Sequence, residues 1–271
     1  MIVKTFQNVR VPAIGLGTWP LRGNECRDAV LDALEIGYRH IDTAQSYKNE
    51  AAVGAAVVDS GLPRDEVFVT TKIDARNNAP ALVRSSTEAS LRRLGIEYID
   101  LLLIHWPSTE IEPEATLDAM LDLQREGKIR HLGVSNYPPS YLRRAIAHAP
   151  ILCNQVEYHP LLRQDDLLNI CRDHDVMLTA FSPLAKGEVL QQKVLQNIGG
   201  SYHKTPAQVA LRWLIQQDNV AVVPKAASHE HRVQNLDIND FHLSGEEIEQ
   251  IDRLPKDRRL LDPPWAINWD T

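Results

Sequence analysis

Short apolar runs alternate with longer stretches in which apolar residues recur every three or four positions, along nearly the whole chain. The runs predict eight strands: Ala13–Gly17, Tyr38–Asp42, Val67–Lys72, Ile99–His105, His131–Ser135, Cys153–Val156, Met177–Phe181 and Val220–Pro224. Several are continuously apolar, such as Leu101-Leu-Leu-Ile104 and Val220-Ala-Val-Val223. That is expected of parallel strands buried on both faces. The stretches between them predict helices. Thr205-Pro206-Ala207-Gln208 sets an N-cap, a proline at the first helical position and a glutamine two further on, in capping-box order. Val209, Ala210, Trp213 and Leu214 follow at helical spacing. Asn24 is placed to cap a helix bearing Ala29, Val30, Ala33 and Leu34, and Leu117, Met120, Leu121 and Gln124 form a stripe that ends near Gly127. Such stripes read as core.

Strands alternating with helices predict a parallel sheet, and eight units in unbroken series favour closure over an open doubly wound sheet. The fold class is therefore α/β, a (β/α)8 TIM barrel, read as one domain spanning residues 1–271. Val3–Arg10 with Val11-Pro12 predicts a small N-terminal hairpin plugging one end. Two extra helices fall outside the series: Glu188–Ile198 after the seventh strand, and one opened by the capping box Ser244-Gly-Glu-Glu247. The tail Leu261–Trp269, rich in Trp and Pro, reads as a loop over the active-site mouth.

The length of 271 residues suits one such barrel, which takes about 250. A net charge of −7 disfavours a nucleic-acid role, which would need phosphate neutralisation. Cys26, Cys153 and Cys171 have no CxxC spacing, which suggests reduced thiols and a cytoplasmic address. The segment from Met1 has no long apolar run, and no run approaches 18 apolar residues, so neither leader nor membrane span is expected.

Four polar groups stand at or just after the C-terminal ends of the second, third and fourth strands: Asp42, Tyr47, Lys72 and His105. That rim carries chemistry in barrels of this kind. Singly, each has a plain structural explanation; together their chemistry interlocks. A phenol titrates near ~10 in water, and a nearby ammonium lowers that value by favouring the phenolate. Lys72 would need a counter-ion, and Asp42 is available. Asp42–Lys72–Tyr47 then reads as a relay tuned to give a proton near neutral pH, with His105 donating to the same acceptor. Such a site suits an oxygen acquiring negative charge, as in carbonyl reduction, where the hydride comes from a cofactor.

Gly15-Leu-Gly-Thr-Trp19, Ile41-Asp-Thr-Ala44 through Tyr47, Thr71-Lys72, Ile104-His-Trp-Pro107, Gly133-Val-Ser-Asn136, Asn154-Gln-Val-Glu157 and Val223-Pro-Lys225 together resemble the aldo-keto reductases, nearest the bacterial 2,5-diketo-D-gluconate and methylglyoxal reductase branch. The resemblance runs in order over essentially the full chain, and the separations of 5, 25 and 33 residues between the four polar groups fit that branch. It implies Tyr47 as general acid, Lys72 and Asp42 as its tuners, and His105 as the donor orienting the carbonyl. It implies NADPH as cofactor: Ser135, Asn136 and Gln155 on the nicotinamide carboxamide, Phe181 stacked on the ring, Ser182 and Leu184 along the pyrophosphate, Asn235 at adenine. Trp19 and Trp106 would wall a pocket for a small carbonyl compound, and a monomer is the family's default.

The adenosine end departs from the pattern. Where NADPH-preferring members carry Lys-Ser-x-Thr and an arginine six residues past the lysine, this chain reads Lys225-Ala-Ala-Ser228, with His231 at the arginine's place and Arg232 beside it. Lys225 and Ser228 can still meet a 2′-phosphate, but losing a bidentate arginine weakens its recognition. NADPH is expected to be preferred and NADH tolerated. Arg232 could compensate through a loop shift, although neighbours on a helix point about 100° apart. Gly15-x-Gly17 lacks the third glycine of a dinucleotide fingerprint, and no HExxH, GxSxG or Cys/His ligand set is present, so no metal is expected. Two rivals stay open: a lyase or aldolase using Lys72 as a Schiff-base nucleophile, and a non-enzymatic nucleotide-sensing barrel.

Overall fold

The computed structural model describes residues 2–269; Met1, Asp270 and Thr271 lie outside the described residues, including the Met1 end of the leader reading and both ends of the 1–271 span. The chain opens with an antiparallel hairpin, β1 (Val3–Phe6) and β2 (Val9–Pro12). Eight strands follow: β3 (Leu16–Gly17), β4 (His40–Asp42), β5 (Phe68–Ile73), β6 (Ile99–Ile104), β7 (Ile129–Ser135), β8 (Ile151–Glu157), β9 (Met177–Phe181) and β10 (Val220–Val222). They pair in parallel and in sequence order from β3 to β10. The sheet closes through a parallel bridge between Ile14 and Val222 and through bonds from Gly15 N to Val222 O and Gly17 N to Pro224 O. Gly17 is needed at this seam, because a Cβ there would stand 2.5 Å from the Val223 carbonyl oxygen.

Helices α1 (Gly23–Glu35), α2 (Glu50–Asp59), α3 (Pro80–Leu94), α4 (Pro113–Arg125), α5 (Pro139–His148), α6 (Asp165–Asp173), α7 (Lys193–Tyr202), α8 (Pro206–Ile215), α9 (His229–Leu236) and α10 (Gly245–Asp252) complete the series. α7 and α10 are the two additions to the eight strand–helix units. Two expectations need correction. Helix α1 begins before Asn24, with Arg22 at its N-cap and no side-chain cap. The helix expected over Glu188–Ile198 is broken at Gln192, whose extended backbone (φ −77°, ψ 114°) ends a short 3-10 stretch, so α7 starts only at Lys193.

The predicted capping boxes of α8 and α10 are both present, with Thr205 and Ser244 accepting from the backbones of Gln208 and Glu247. Removing the first by Thr205→Ala is expected to cost about 1 kcal/mol, read as a lower urea midpoint with unchanged slope. No loss at all would show the cap to be idle.

Inside the barrel a small apolar cluster joins Phe6 and Val11 of the hairpin to Phe68, Leu101, Leu103, Leu152, Cys153, Met177 and Ala221. The hairpin thus stoppers the N-terminal end. Lys4 Nζ ties it down by donating to the carbonyls of Gln217 and Val220, and Gln7 Nε2 donates to Ile151 O at 2.8 Å. The opposite end stays open to the loops. There the tail is pinned by backbone bonds from Arg163 N to Lys256 O and from Arg258 N to Leu161 O. The Glu157 carboxylate accepts from Leu260 N at 2.7 Å and Leu261 N at 2.8 Å, and Arg258 pairs with Glu188. Among the described residues no helix is long and apolar enough to cross a membrane.

Candidate active site

Strand ends bring the four polar groups together. β4 ends at Asp42, and the turn after it (Gln45–Tyr47, a single 3-10 turn) carries Tyr47 back over the barrel mouth. β5 is buried at every residue and places Lys72 on its inner face; His105 follows β6 directly. Lys72 Nζ donates to Asp42 Oδ1 at 2.6 Å, to the Thr43 carbonyl at 2.9 Å and to Tyr47 Oη at 3.4 Å. Asp42 Oδ2 accepts from Gln155 Nε2 at 2.7 Å, so both carboxylate oxygens are engaged. Lys72 is 1% exposed and Asp42 3%; a bare charge at that depth would be untenable, and the pair satisfies each other. The Tyr47 ring packs edge-on against His105, with centroids 5.6 Å apart, and tilted against Trp19 at 5.2 Å.

The electrostatics correct one expectation. Burial opposes the charge on Lys72, but Asp42 and Tyr47 outweigh it, and the ammonium is held more firmly than in water. Burial also raises the Tyr47 phenol, and Lys72 offsets this only in part, so the phenol titrates above its usual value rather than below it. The expected downward shift counted the ammonium and omitted the cost of forming a phenolate out of contact with water. His105 is pushed down to about 3 by burial and by Lys72, which makes it a neutral imidazole.

Asp42, Tyr47 and His105 line a cleft of about 380 Å³, with Lys72 buried behind them. Ser135, Asn136, Gln155, Phe181, Ser182 and Lys225 of the expected cofactor set line it too. Asn136 stands in the left-handed region (φ 60°); its Nδ2 donates to His105 O and Ser135 Oγ, while its Oδ1 is buried with no partner. Gln155 has committed its Nε2 to Asp42 and can offer a ligand its oxygen. Leu184 leads into a loop where Ser182, Ala185 and Lys186 all take positive φ. Lys186 lines the cleft as well.

The adenosine-end residues divide. Lys225 and His231 are exposed, and Ser228 caps α9 by accepting from His231 N at 3.3 Å. Asn235 is buried beside Tyr38. Arg232 points inward: Nε donates to Asp32 at 2.6 Å and Nη1 to the carbonyls of Ala226 and Ala227. Its guanidinium thus braces the loop from within, and the compensating role considered for Arg232 would require these bonds to break. Trp19 lines the cleft and is half exposed; Trp106, expected beside it, is buried and does not line the cleft, and makes edge contact with Trp265 of the tail at 5.1 Å.

Several cleft residues went unflagged in the sequence. Ser46 precedes Tyr47 and drew no assignment of its own. Leu260 lies just before the tail expected over the mouth, and it reaches the cleft together with Leu261 of that tail, where Glu157 accepts from both backbones. Glu157 itself carried a usable signal: two residues past Gln155 on one strand, it had to share that residue's face.

Comparison with known proteins agrees with this architecture. Residues 13–256 match the model of the aldo/keto reductase family. The glyoxal reductase of Bacillus subtilis (strain 168) is 40% identical over 265 residues, covering 97% of this chain and 95% of that protein. The 9,11-endoperoxide prostaglandin H2 reductase of Trypanosoma cruzi (strain CL Brener) is 41% identical over 268 residues, covering 97% and 94%. Among solved structures, a Bombyx mori aldo-keto reductase in complex with NADP superposes with TM-score 0.92 at 29% identity, covering 100% of this chain and 99% of that one. With the barrel, its rim groups and a match over nearly the whole length in agreement, the chain belongs to the aldo/keto reductase family.

Proposed function

We propose that this chain is an NADPH-dependent reductase of small carbonyl compounds, with Tyr47 as general acid. The observation that carries this reading is the buried chain Asp42–Lys72–Tyr47 opening beside a neutral His105 into one cleft. When bound there, the cofactor supplies the hydride. Its nicotinamide carboxamide fits the polar set at hand: a buried Asn136 Oδ1 lacking a partner, the Gln155 oxygen and the Ser135 hydroxyl. Phe181 offers an aromatic face, and Ser182 and Leu184 lie on the loop proposed for the pyrophosphate, which turns left-handed at Ser182, Ala185 and Lys186.

Each protein group then has a task. Tyr47 Oη gives its proton to the carbonyl oxygen as negative charge builds there. Lys72, kept cationic by Asp42, stabilises the phenolate left behind. Asp42 also fixes Gln155, and so links the proton donor to the cofactor-facing wall. His105 orients the substrate oxygen. Leu260 and Leu261 of the tail, with Trp19, bound the space for the rest of the substrate. Its size suits methylglyoxal and other 2-oxoaldehydes, short aldehydes or a keto sugar acid; the Bacillus subtilis relative is named for glyoxal reduction. Three buried, unpaired cysteines suit a reducing compartment such as the cytoplasm.

The Schiff-base reading loses ground on the same geometry, because a nucleophilic lysine needs its charge destabilised, and Asp42 does the opposite to Lys72. A nucleotide sensor without turnover is tested directly by NADPH consumption with methylglyoxal: steady consumption supports the reductase, and binding with no reduction of any carbonyl offered supports the sensor.

With Arg232 internal, 2′-phosphate recognition rests on Lys225, Ser228 and His231, with Asn235 toward adenine. We therefore expect NADPH preference to be moderate and NADH to be used. Lys225→Ala should cut kcat/KM for NADPH by roughly tenfold, the worth of one charge-assisted bond, while kcat/KM for NADH stays within about twofold. Equal losses with both cofactors would show that Lys225 does not read the phosphate.

A further inference from the structure

Ser46 stands one residue before Tyr47, and its hydroxyl lies 3.3 Å from Nδ1 of His105. The turn that carries it is tightly moored. Gln45 Oε1 accepts from Asp74 N and Asn77 Nδ2, both at 3.0 Å, and Gln45 Nε2 donates to Ser90 Oγ at 3.2 Å. His105 is held from its own main chain: its N–H donates to Ile73 O at 3.2 Å, and its carbonyl accepts from Asn136 Nδ2 at 2.9 Å. The imidazole and the serine hydroxyl thus face each other on two fixed supports.

A neutral imidazole carries one N–H, and the bond made at one nitrogen decides what the other presents. If Nδ1 held the proton, Nε2 would turn a lone pair toward the cleft and repel an oxygen gaining negative charge. If Nδ1 accepts a bond, Nε2 carries the proton and can donate to that oxygen. A carboxylate at Nδ1 would force the first state, since it can only accept. A hydroxyl can donate and so permits the second.

We propose that Ser46 donates its hydroxyl to Nδ1 of His105 and holds the ring as the Nε2–H tautomer, so that an N–H and not a lone pair faces the cleft. Ser46 is a positioning residue acting through His105, and its place in the reaction rests on the reductase reading above.

The test is 15N NMR of the ring nitrogens in the full chain, with the His105 signals assigned by their loss in His105→Gln, alongside NADPH kinetics with methylglyoxal. Wild type should show a protonated Nε2 and an unprotonated, hydrogen-bonded Nδ1. Ser46→Ala should move the ring toward a mixture of tautomers and lower kcat by roughly tenfold, with KM for NADPH within about twofold. Ser46→Thr, which keeps the hydroxyl, should restore both. A protonated Nδ1 in wild type, an unchanged spectrum in Ser46→Ala, or a tautomer shift without loss of kcat would each overturn the proposal. The spectrum needs no turnover, so a chain that reduces no carbonyl sinks the reductase reading alone, and a reductase with Nδ1–H sinks this one alone.

Discussion

Tyr47→Phe is expected to lower kcat for carbonyl reduction by about 10²-fold or more, the lower bound for a lost general acid and close to 3 kcal/mol of barrier. The substitution removes one oxygen and leaves the ring, so its contacts with Trp19 and His105 persist and the fold should be untouched. Binding of NADPH, followed by fluorescence, should change little. The loss should therefore lie in kcat and not in affinity. The raised phenol pKa adds a condition. Tyr47 stays protonated throughout the neutral range, so wild-type reduction should not decline for want of the acid form until clearly alkaline pH. The measurement is kcat at saturating NADPH for both proteins across pH. A Tyr47→Phe chain within threefold of wild type would remove the phenol from the chemistry.

The second large effect concerns stability. Asp42→Ala should destabilise the fold by about 3–5 kcal/mol, because it strands the Lys72 ammonium at 1% exposure with only the Thr43 carbonyl and the Tyr47 hydroxyl for company. Gln155 Nε2 loses its acceptor in the same step. The double variant Asp42→Ala with Lys72→Met should recover part of the loss, since no buried charge is then unpaired. Denaturant midpoints for the wild type, both single variants and the double close the cycle. If Asp42→Ala lay within 1 kcal/mol of wild type, the pair would have to be far better hydrated than its burial indicates.

The sequence alone determined the order of strands and helices, since continuous apolar runs such as Leu101–Ile104 suit only a sheet covered on both faces, and alternation with helices makes that sheet parallel. It also determined that these polar groups would meet, because Asp42, Lys72 and His105 each stand at a strand's end, and a parallel barrel brings all such ends to one rim. Local rules served best where they were complete in themselves, as in the Thr205 and Ser244 capping boxes. They failed elsewhere: Asn24 offered a cap that α1 did not use, and the extended backbone of Gln192 split the Glu188–Ile198 pattern. What only the tertiary structure decided depends on depth and on long-range partners. Burial, invisible in a list of residue types, reversed the direction of the Tyr47 shift. Asp32, 200 positions away, holds Arg232 inward, while Lys225, Ser228 and His231 stay exposed. Glu157 drew the tail across the mouth, 103 positions on, by accepting from backbone N–H groups that every residue but proline possesses. Such bonds leave no mark in side-chain pattern, and only the folded chain could place them.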